Sequence, residues 1–327
     1  MKKRVLSGMR PTGKLHLGHL VGALSNWVQL QDKYEVFYMV ADWHALLSEY
    51  EDTTALKENI YDNVIDWLAC GLDPDKATIF IQSEIKEHTE LHFLLSTLTP
   101  LSWLQRCPTY KEQLREIKNK NITTYGFLGY PVLQTADIIL YKAHCVPVGK
   151  DQLPHLELAR EIIRRFAHLF KSKVFIEPEP MLTQTPKLLG LDNRKMSKSY
   201  DNAINISDEP DIVSKKVMSM ITDPARIKLT DPGHPEVCNV CAYFDVFASQ
   251  KKKEVQDWCT SASKGCTECK KILAEILIER LKPVQEKRKE LTAQRSKIED
   301  ILAKGADRAR KVAESTMEEV RRDIGLV

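Results

Sequence analysis

The sequence predicts an α/β protein in which a parallel sheet occupies the first two-thirds of the chain and helices alone form the last third. Two observations support this prediction. Short apolar runs alternate with amphipathic segments up to about residue 200, and beyond that point the strand patterns end. Such alternation is typical of parallel βαβ units. The later part is rich in Lys, Arg and Glu, so we expect two domains, residues 1–200 and residues 201–327.

Four short apolar runs are the predicted strands of the sheet: residues 5–6, 36–40, 78–81 and 145–148. Each is followed by a segment in which apolar residues recur every three or four positions. The clearest of these amphipathic patterns begin at Leu17, Leu56 and Leu153. This periodicity predicts helices that cover the sheet.

The amino-acid composition excludes few classes of protein. The 327 residues include 48 basic and 45 acidic side chains, and the resulting net charge of +3 does not by itself indicate a nucleic-acid partner. No apolar run is long enough to cross a bilayer, so we expect a cytoplasmic protein without membrane association. In that compartment the eight cysteines should be thiols or ligands rather than disulfides.

A nucleotide-binding pattern follows the first predicted strand. It consists of a loop and a helix start that contain Arg10, Pro11, Thr12, His16, Gly18 and His19. Gly18 has no side chain, so a flat adenosine can approach closely, and the helix start favours phosphate. His16 and His19 are three residues apart and project from one face of the first turn. A metal site or a solvated histidine pair has the same spacing, but the place after the first strand favours ligand binding.

A cationic segment, Lys195-Met196-Ser197-Lys198-Ser199, closes the region of the predicted sheet. Two lysines among small residues suit a loop that holds a polyphosphate while charge moves onto a leaving pyrophosphate. Such a run is usually only an exposed loop, and its pairing with the first motif makes it specific. Together the motifs resemble the paired signatures of class I aminoacyl-tRNA synthetases, whose catalytic domain is Rossmann-like. Nucleotidyltransferases share only the first motif and are the alternative.

The resemblance implies that ATP binds here with Mg²⁺. His16, His19, Lys195 and Lys198 are the expected catalytic residues that stabilise the phosphates, and Lys111 is a further candidate. The expected nucleotide contacts are Arg10, Pro11, Thr12, Gly18, His19, Gly149, Lys150, Asp151, Leu188, Lys195, Met196, Ser197, Lys198 and Ser199.

A polar stripe on an apolar segment indicates the second substrate. On a helix that begins near Pro131, Tyr130, Gln134 and Asp137 share one face, and the other faces are apolar. A helix of this kind is expected to be buried, with its polar stripe facing a cavity rather than water.

This stretch and residues 146–152 resemble the bacterial tryptophanyl-tRNA synthetases more than their tyrosyl relatives, which leaves tyrosine as the alternative substrate. The resemblance implies that Asp137 accepts the indole N–H, while Tyr130, Gln134, His44 and Gln152 complete the L-tryptophan pocket. Two positions depart from the family pattern: Leu6 replaces a common aromatic residue, and Gln134 replaces a methionine.

Five of the eight cysteines crowd into residues 238–269. Two Cys-x2-Cys pairs are compatible with structural zinc. The set Cys238, Cys259, Cys266 and Cys269 resembles the four-cysteine [4Fe-4S] motif of a subset of tryptophanyl-tRNA synthetases. Cys241 is the spare residue and the alternative first ligand, and free thiols are the third possibility.

The resemblance further implies that the helical domain reads the anticodon of tRNA(Trp) and that the enzyme is a homodimer. Its last helices are locally basic, although such charges usually form a solvated face. A non-catalytic relative that binds tRNA or senses redox state is the remaining alternative, and the two intact nucleotide motifs argue against it.

Overall fold

The computed structural model describes residues 2–116, 120–182, 188–196 and 200–327. Within these ranges five strands form one sheet in the order β3-β2-β1-β4-β5, and every pairing is parallel. The strands are β1 Arg4–Met9, β2 Glu35–Val40, β3 Ala77–Ile81, β4 Cys145–Val148 and β5 Glu179–Leu182. This order is that of a doubly wound, Rossmann-like sheet, so the predicted α/β class is confirmed.

The edge strand β5 was not among the predicted strands. It contains Pro180, which pairs in register with Val146, and its side chains are half-buried or exposed. The strand is only four residues long and none of its side chains is fully buried, so it lacks the continuous apolar run by which the other strands were predicted.

Helices fill the connections and the C-terminal part. They are α1 Leu17–His19, α2 Ser25–Leu30, α3 Asp42–Glu49, α4 Leu56–Ala69, α5 Glu87–Leu98, α6 Leu101–Arg106, α7 Pro108–Glu116, α8 Tyr125–Leu140, α9 Leu153–Phe170, α10 Pro210–Ser219, α11 Asn239–Phe247, α12 Lys252–Thr260, α13 Cys266–Thr292 and α14 Arg295–Asp323. A wide π-helical turn, Leu20–Leu24, joins α1 to α2. Among the described residues, no helix is both long and apolar enough to span a membrane.

Alternate residues of the strands enter two different cores. Val5 of β1 belongs to the core on one face, which also contains Trp27 and Leu277 of α13. Leu6 belongs to the core on the other face, together with Ala309 of α14. Both cores therefore combine the sheet with C-terminal helices, and the division at residues 200 and 201 stays a prediction.

The last helix lies directly against the strand β3. Gly305 of α14 is buried, and a Cβ at this position would collide with the backbone of Ile79. Nearby, the Arg308 guanidinium donates to the carbonyl oxygens of Pro74 at 2.8 Å and Ala77 at 3.1 Å. These contacts anchor the end of the chain to the sheet that carries the site.

Candidate active site

A cavity of about 400 Å³ lies at the carboxyl ends of β1 and β4. The chain reverses its direction of strand addition between these two strands. Ser7 and Gly8 line the cavity from β1, and Val148 and Gly149 line it from the end of β4. Open α/β sheets bind ligands at such a switch point, so this cavity is the candidate active site.

Several residues singled out in the sequence meet at this cavity. The lining includes Arg10, His44, Tyr130, Gln134, Asp137, Gly149 and Gln152. They come from the loop after β1, from α3, from α8 and from the turn after β4. Residues far apart in sequence therefore surround one space.

The helix that carries the polar stripe begins earlier than expected. α8 starts at Tyr125 rather than near Pro131, and the Thr124 hydroxyl accepts a hydrogen bond from the Phe127 N–H at 3.2 Å. Pro131 lies inside the helix, where it lacks the N–H of a regular turn. Its place in the sequence was therefore a misleading start signal. The expected burial of this helix nearly all round is found.

Asp137 is held by three donors in the interior. Its Oδ2 lies 2.7 Å from His44 Nε2, and its Oδ1 lies 2.8 Å from Gln82 Nε2 and 2.7 Å from His88 Nδ1. The residue is 2% exposed. Burial alone would raise the pKa of Asp137, but His44 and then His88 lower it well below its usual range. The carboxylate is therefore ionised at neutral pH.

A second buried network lies on the cavity wall. The Tyr130 hydroxyl is 3.2 Å from His155 Nε2, and the Cys107 thiol is 3.5 Å from His155 Nδ1. Burial, followed by the nearby His44, lowers the pKa of His155 to about 4, so this ring is neutral at pH 7. Tyr130 and His155 thus offer polar atoms without charge.

Sequence reasoning missed Gln82, His88 and His155. Gln82 directly follows β3, and His88 and His155 lie near the starts of the helices α5 and α9. Ligands bind at the carboxyl ends of the strands in an open parallel sheet, so the position of Gln82 directly after β3 is a signal that could have found it.

The first nucleotide motif is a compact helix start. The backbone N–H of His16 donates to His19 Nδ1 at 3.1 Å, and the two ring centroids are 3.8 Å apart. A Cβ on Gly18 would lie 3.0 Å from the His16 ring and 3.7 Å from Met196 Sδ. Contacts this tight explain the glycine, and they show that the second motif reaches the first.

Backbone hydrogen bonds also join the first motif to the segment that follows the second motif. The Leu17 N–H donates to the Ile204 carbonyl and the Ile206 N–H donates to the Leu15 carbonyl, both at 2.9 Å. Leu188 and Met196 are buried, and Lys195 is exposed. The expected residues Ser197, Lys198 and Ser199 lie outside the described residues.

Other expected nucleotide contacts do not line the cavity: Pro11, Thr12, His16, Gly18, His19, Lys150, Asp151, Leu188, Lys195 and Met196. Lys150 and Asp151 are exposed in a single 3-10 turn that ends at Gln152, whose amide donates to Asp151 Oδ2 at 2.8 Å. Lys111 is exposed on α7 and is also absent from the lining.

The five clustered cysteines come together where the start of α11, the end of α12 and the start of α13 meet. Cys238 directly precedes α11, and Cys266 begins α13. A thiol hydrogen bond from Cys241 lowers the pKa of Cys238, and burial raises the pKa of Cys259 and of Cys269. Across the described ranges, no group of three or more His, Cys, Asp or Glu side chains is arranged to hold a metal ion.

Comparison with known proteins shows the family of the chain. The family model "tRNA synthetases class I (W and Y)" matches residues 1–282. The chain is 50% identical to the tryptophan–tRNA ligase of Thermotoga maritima, with 99% of each chain covered. It is 44% identical to the tryptophan–tRNA ligase of Aquifex aeolicus, covering 99% of this chain and 100% of the relative.

Solved structures agree as well. The crystal structure of tryptophanyl-tRNA synthetase from Campylobacter jejuni complexed with ADP and tryptophan aligns with a TM-score of 0.89 at 35% identity, covering 98% of this chain and 99% of that chain.

A tyrosyl-tRNA synthetase from Archaeoglobus fulgidus aligns with a TM-score of 0.67 at 22% identity, covering 88% of this chain and 90% of that chain, and this match concerns the fold alone.

The chain therefore belongs to the class I tRNA synthetases and is an aminoacyl-tRNA synthetase. Within that class, its close full-length relatives fall in the tryptophan branch rather than the tyrosine branch.

Proposed function

We propose that the chain is a tryptophan–tRNA ligase, which activates L-tryptophan with ATP and then transfers it to tRNA(Trp). The observation that carries the proposal is the ionised carboxylate of Asp137, which is buried at the wall of a cavity with both polar and apolar lining at the sheet's switch point. A buried acceptor that loses its donor is costly, so such a site selects a side chain with an N–H over an apolar ring.

The indole ring is expected to lie against the apolar part of this cavity. Trp27, Ile138 and Val146 contribute to its walls, and the indole N–H donates to Asp137. Tyr130, Gln134 and Gln152 place uncharged polar atoms where the ammonium and carboxylate groups of an amino acid need partners.

ATP is expected to bind across the first helix start, with its phosphates between His16, His19 and the segment that carries Lys195 and Lys198. The close approach of Met196 to Gly18 supports this arrangement, because it brings the second motif to the first. Mg²⁺ would neutralise charge on the phosphates. Arg10, at the cavity itself, lies between the two substrates' expected positions.

The reaction needs no covalent residue. A tryptophan carboxylate oxygen attacks the α-phosphorus of ATP, the bond to the bridging oxygen breaks, and pyrophosphate leaves with the electron pair. A ribose hydroxyl of the tRNA end then attacks the acyl carbon, loses its proton and releases AMP. Because the carboxylate is already a nucleophile, positioning and charge stabilisation account for the rate.

The test is ATP–pyrophosphate exchange measured with each amino acid separately. Exchange with tryptophan alone is the expected result. Exchange with tyrosine would move the chain to the tyrosine branch, and the absence of exchange with any amino acid would refute an activating role.

The helical part is proposed to bind the anticodon region of tRNA(Trp), in keeping with the locally basic helices α13 and α14. Some of their cations already have protein partners, such as Arg288 with Asp62 and Asp66, and Arg308 with backbone carbonyls. Exposed residues such as Lys289 are better candidates for contacting RNA.

The cysteines Cys238, Cys259, Cys266 and Cys269 are proposed to hold a [4Fe-4S] cluster. The thiols fit the group in kind, since such clusters are held by four thiolates, and they are close enough to affect one another's pKa. When bound, the cluster would cross-link the starts of α11 and α13 to α12.

Iron and acid-labile sulfide in anaerobically purified protein would support the cluster, and equimolar zinc without iron would refute it. Cys238→Ser and Cys241→Ser identify the first ligand, because only the true ligand's substitution should release iron. Cys70→Ser is the matched control, because Cys70 directly follows the C-terminal end of α4 and is not one of the clustered cysteines.

A homodimer is the proposed assembly. Large apolar side chains are exposed on neighbouring helices, namely Phe93 on α5, Leu101 on α6 and Tyr125 on α8. Sedimentation of the wild type and of Phe93→Glu tests this, since a dimer through this surface should dissociate in the variant.

A further inference from the structure

The acceptor sites of Asp137 are unequally used. A carboxylate oxygen accepts up to two hydrogen bonds. Oδ1 already accepts two, from Gln82 and from His88, whereas Oδ2 accepts one, from His44. Oδ2 is therefore the oxygen with room for a further donor.

The partners also differ in their position relative to the cavity. His44 lines the cavity, so the oxygen that it contacts lies on the cavity side. Gln82 and His88 are both 0% exposed and are not part of the lining. They hold the carboxylate from behind, where substrate cannot reach.

His88 is itself fixed by a third residue. Its Nε2 lies 2.8 Å from the Tyr141 hydroxyl, and Tyr141 is fully buried with its ring 4.9 Å from Phe37. An ionised Asp137 only accepts hydrogen bonds, so His88 Nδ1 donates to it, and the Tyr141 hydroxyl pairs with Nε2 on the other side of the ring. Tyr141 thus fixes the orientation of the His88 ring that Asp137 requires.

We propose that His88, held by Tyr141, is a positioning residue for amino acid selection: with Gln82 it saturates Oδ1 of Asp137 and thereby directs Oδ2 to the indole N–H. The inference rests on the proposed role of Asp137. His88 does not touch the substrate. It fixes which oxygen points into the cavity and keeps the carboxylate from rotating away.

If the inference is right, variants that lack the His88 contact should discriminate less between tryptophan and an analogue without the ring N–H. The probe is a matched pair of amino acids, L-tryptophan and L-3-(benzothiophen-3-yl)alanine, in which sulfur replaces the ring N–H. Both fill a similar volume, but only tryptophan donates a hydrogen bond. The ratio of their kcat/KM values in ATP–pyrophosphate exchange reports the contribution of the N–H contact, and calorimetric Kd values without ATP give an independent ratio.

Three variants separate positioning from support of the fold. His88→Leu removes both hydrogen bonds of the ring and should lower the ratio about tenfold or more, chiefly through tryptophan. His88→Asn keeps an amide donor near the place of Nδ1 and should retain most of the ratio. Tyr141→Phe removes only the hydroxyl and should lower the ratio by roughly threefold. His168→Leu, at an exposed position of α9, is the matched control and should change nothing.

Equal losses for the two amino acids in His88→Leu would show a merely structural role and overturn the inference. If that variant fails to fold, Tyr141→Phe decides, because an unchanged ratio there contradicts the inference as well. Asp137→Ala distinguishes the two levels of the argument. A ratio that survives Asp137→Ala refutes the proposed role of Asp137, whereas a ratio lost in Asp137→Ala but kept in His88→Leu refutes the positioning role alone.

Discussion

Individual side chains of the candidate site differ sharply in exposure. Asp137 is buried and held by three donors, whereas Lys195 is exposed. A buried group with fixed partners is in position before substrate arrives, while an exposed lysine is ordered only by the phosphate that it meets. Substitutions at these residues should therefore affect different steps of the reaction.

Lys195→Ala should slow adenylate formation by about a hundredfold, while tryptophan affinity changes by less than about threefold. Single-turnover adenylate formation and equilibrium tryptophan binding measure the two quantities. Lys253→Ala, exposed on α12, is the control. Similar losses in both quantities would contradict a role confined to the transition state.

His155 should make stability depend on pH. Its pKa of about 4 lies below the unfolded value near 6.5, so between these values the unfolded chain binds more protons than the folded chain. The contribution of neutral His155 to the free energy of unfolding is complete above about pH 6.5. It is lost as the pH falls toward 4, and the total loss is up to about 3 kcal/mol. Urea unfolding from pH 4 to 8 should show this slope, and His155→Gln should flatten it. An unchanged slope in the variant would assign the effect to other groups.

Among the elements, α11 supports the loop that carries Lys195. The Asn239 amide donates to the Gly190 carbonyl at 2.7 Å, and the Tyr243 hydroxyl donates to the Leu189 carbonyl at 2.8 Å. Leu189 in turn forms a β-bridge with Lys195. A helix that begins beside the clustered cysteines therefore fixes the base of the segment that is proposed to bind ATP.

Tyr243→Phe should slow adenylate formation severalfold, because the Leu189 carbonyl loses its donor and the segment becomes less well fixed. The same single-turnover assay measures this, with tryptophan affinity as the internal reference. Tyr34→Phe, which removes a hydroxyl elsewhere, is the control. Wild-type kinetics in Tyr243→Phe would show that the loop does not depend on this contact.

The packing of α14 on β3 predicts that replacing Gly305 with alanine lowers stability, although this substitution usually raises stability inside a helix. Glycine to alanine inside a helix normally stabilises by about 1 kcal/mol. At Gly305 the new methyl group would meet the Ile79 backbone, so Gly305→Ala should instead destabilise by about 1–3 kcal/mol. Thermal unfolding measures the sign. Lys304→Ala, exposed one residue earlier, should stay close to wild type.

At the scale of the whole molecule, one ion-pair network joins the two parts of the chain. Arg288 of α13 contacts Asp62 and lies 2.5 Å from Asp66, both on α4. Asp66 is fully buried, and burial raises its pKa to about 7 although Arg288 acts in the opposite direction. Asn63, between them, donates to the Gly13 carbonyl at 3.0 Å. The helix α4 thus contacts both α13 and the loop after β1 that is proposed to bind ATP.

Arg288→Leu should destabilise the protein by about 3 kcal/mol, because it leaves Asp66 buried without its cation. Adding Asp66→Asn should recover part of the loss, and the double-mutant cycle in urea measures the coupling. Lys289→Leu, at the exposed neighbouring position, is the control. Strict additivity of the two substitutions would show that the pair does not interact.

Local patterns predicted most of the fold and part of the site. The central strands were predictable because they are mostly continuous apolar runs, whereas β5 is four residues long and none of its side chains is fully buried. The start of α8 was misplaced because Pro131 is a common start signal but here lies within the helix. Gln82 and His88 were missed because their importance arises only where they meet Asp137, about 50 positions further along the chain.

The backbone pairing of residues 15–17 with residues 204–206 determines when this part of the fold can form during translation. A nascent chain leaves the ribosome N-terminus first. The histidine motif is therefore made early, before residues 204–206, with which it pairs, have been synthesised. Only after residue 206 has cleared the exit tunnel can the backbone contacts of Leu15 and Leu17 form. The histidine motif is thus among the first segments translated, but its backbone pairing forms only after more than 200 residues have been made.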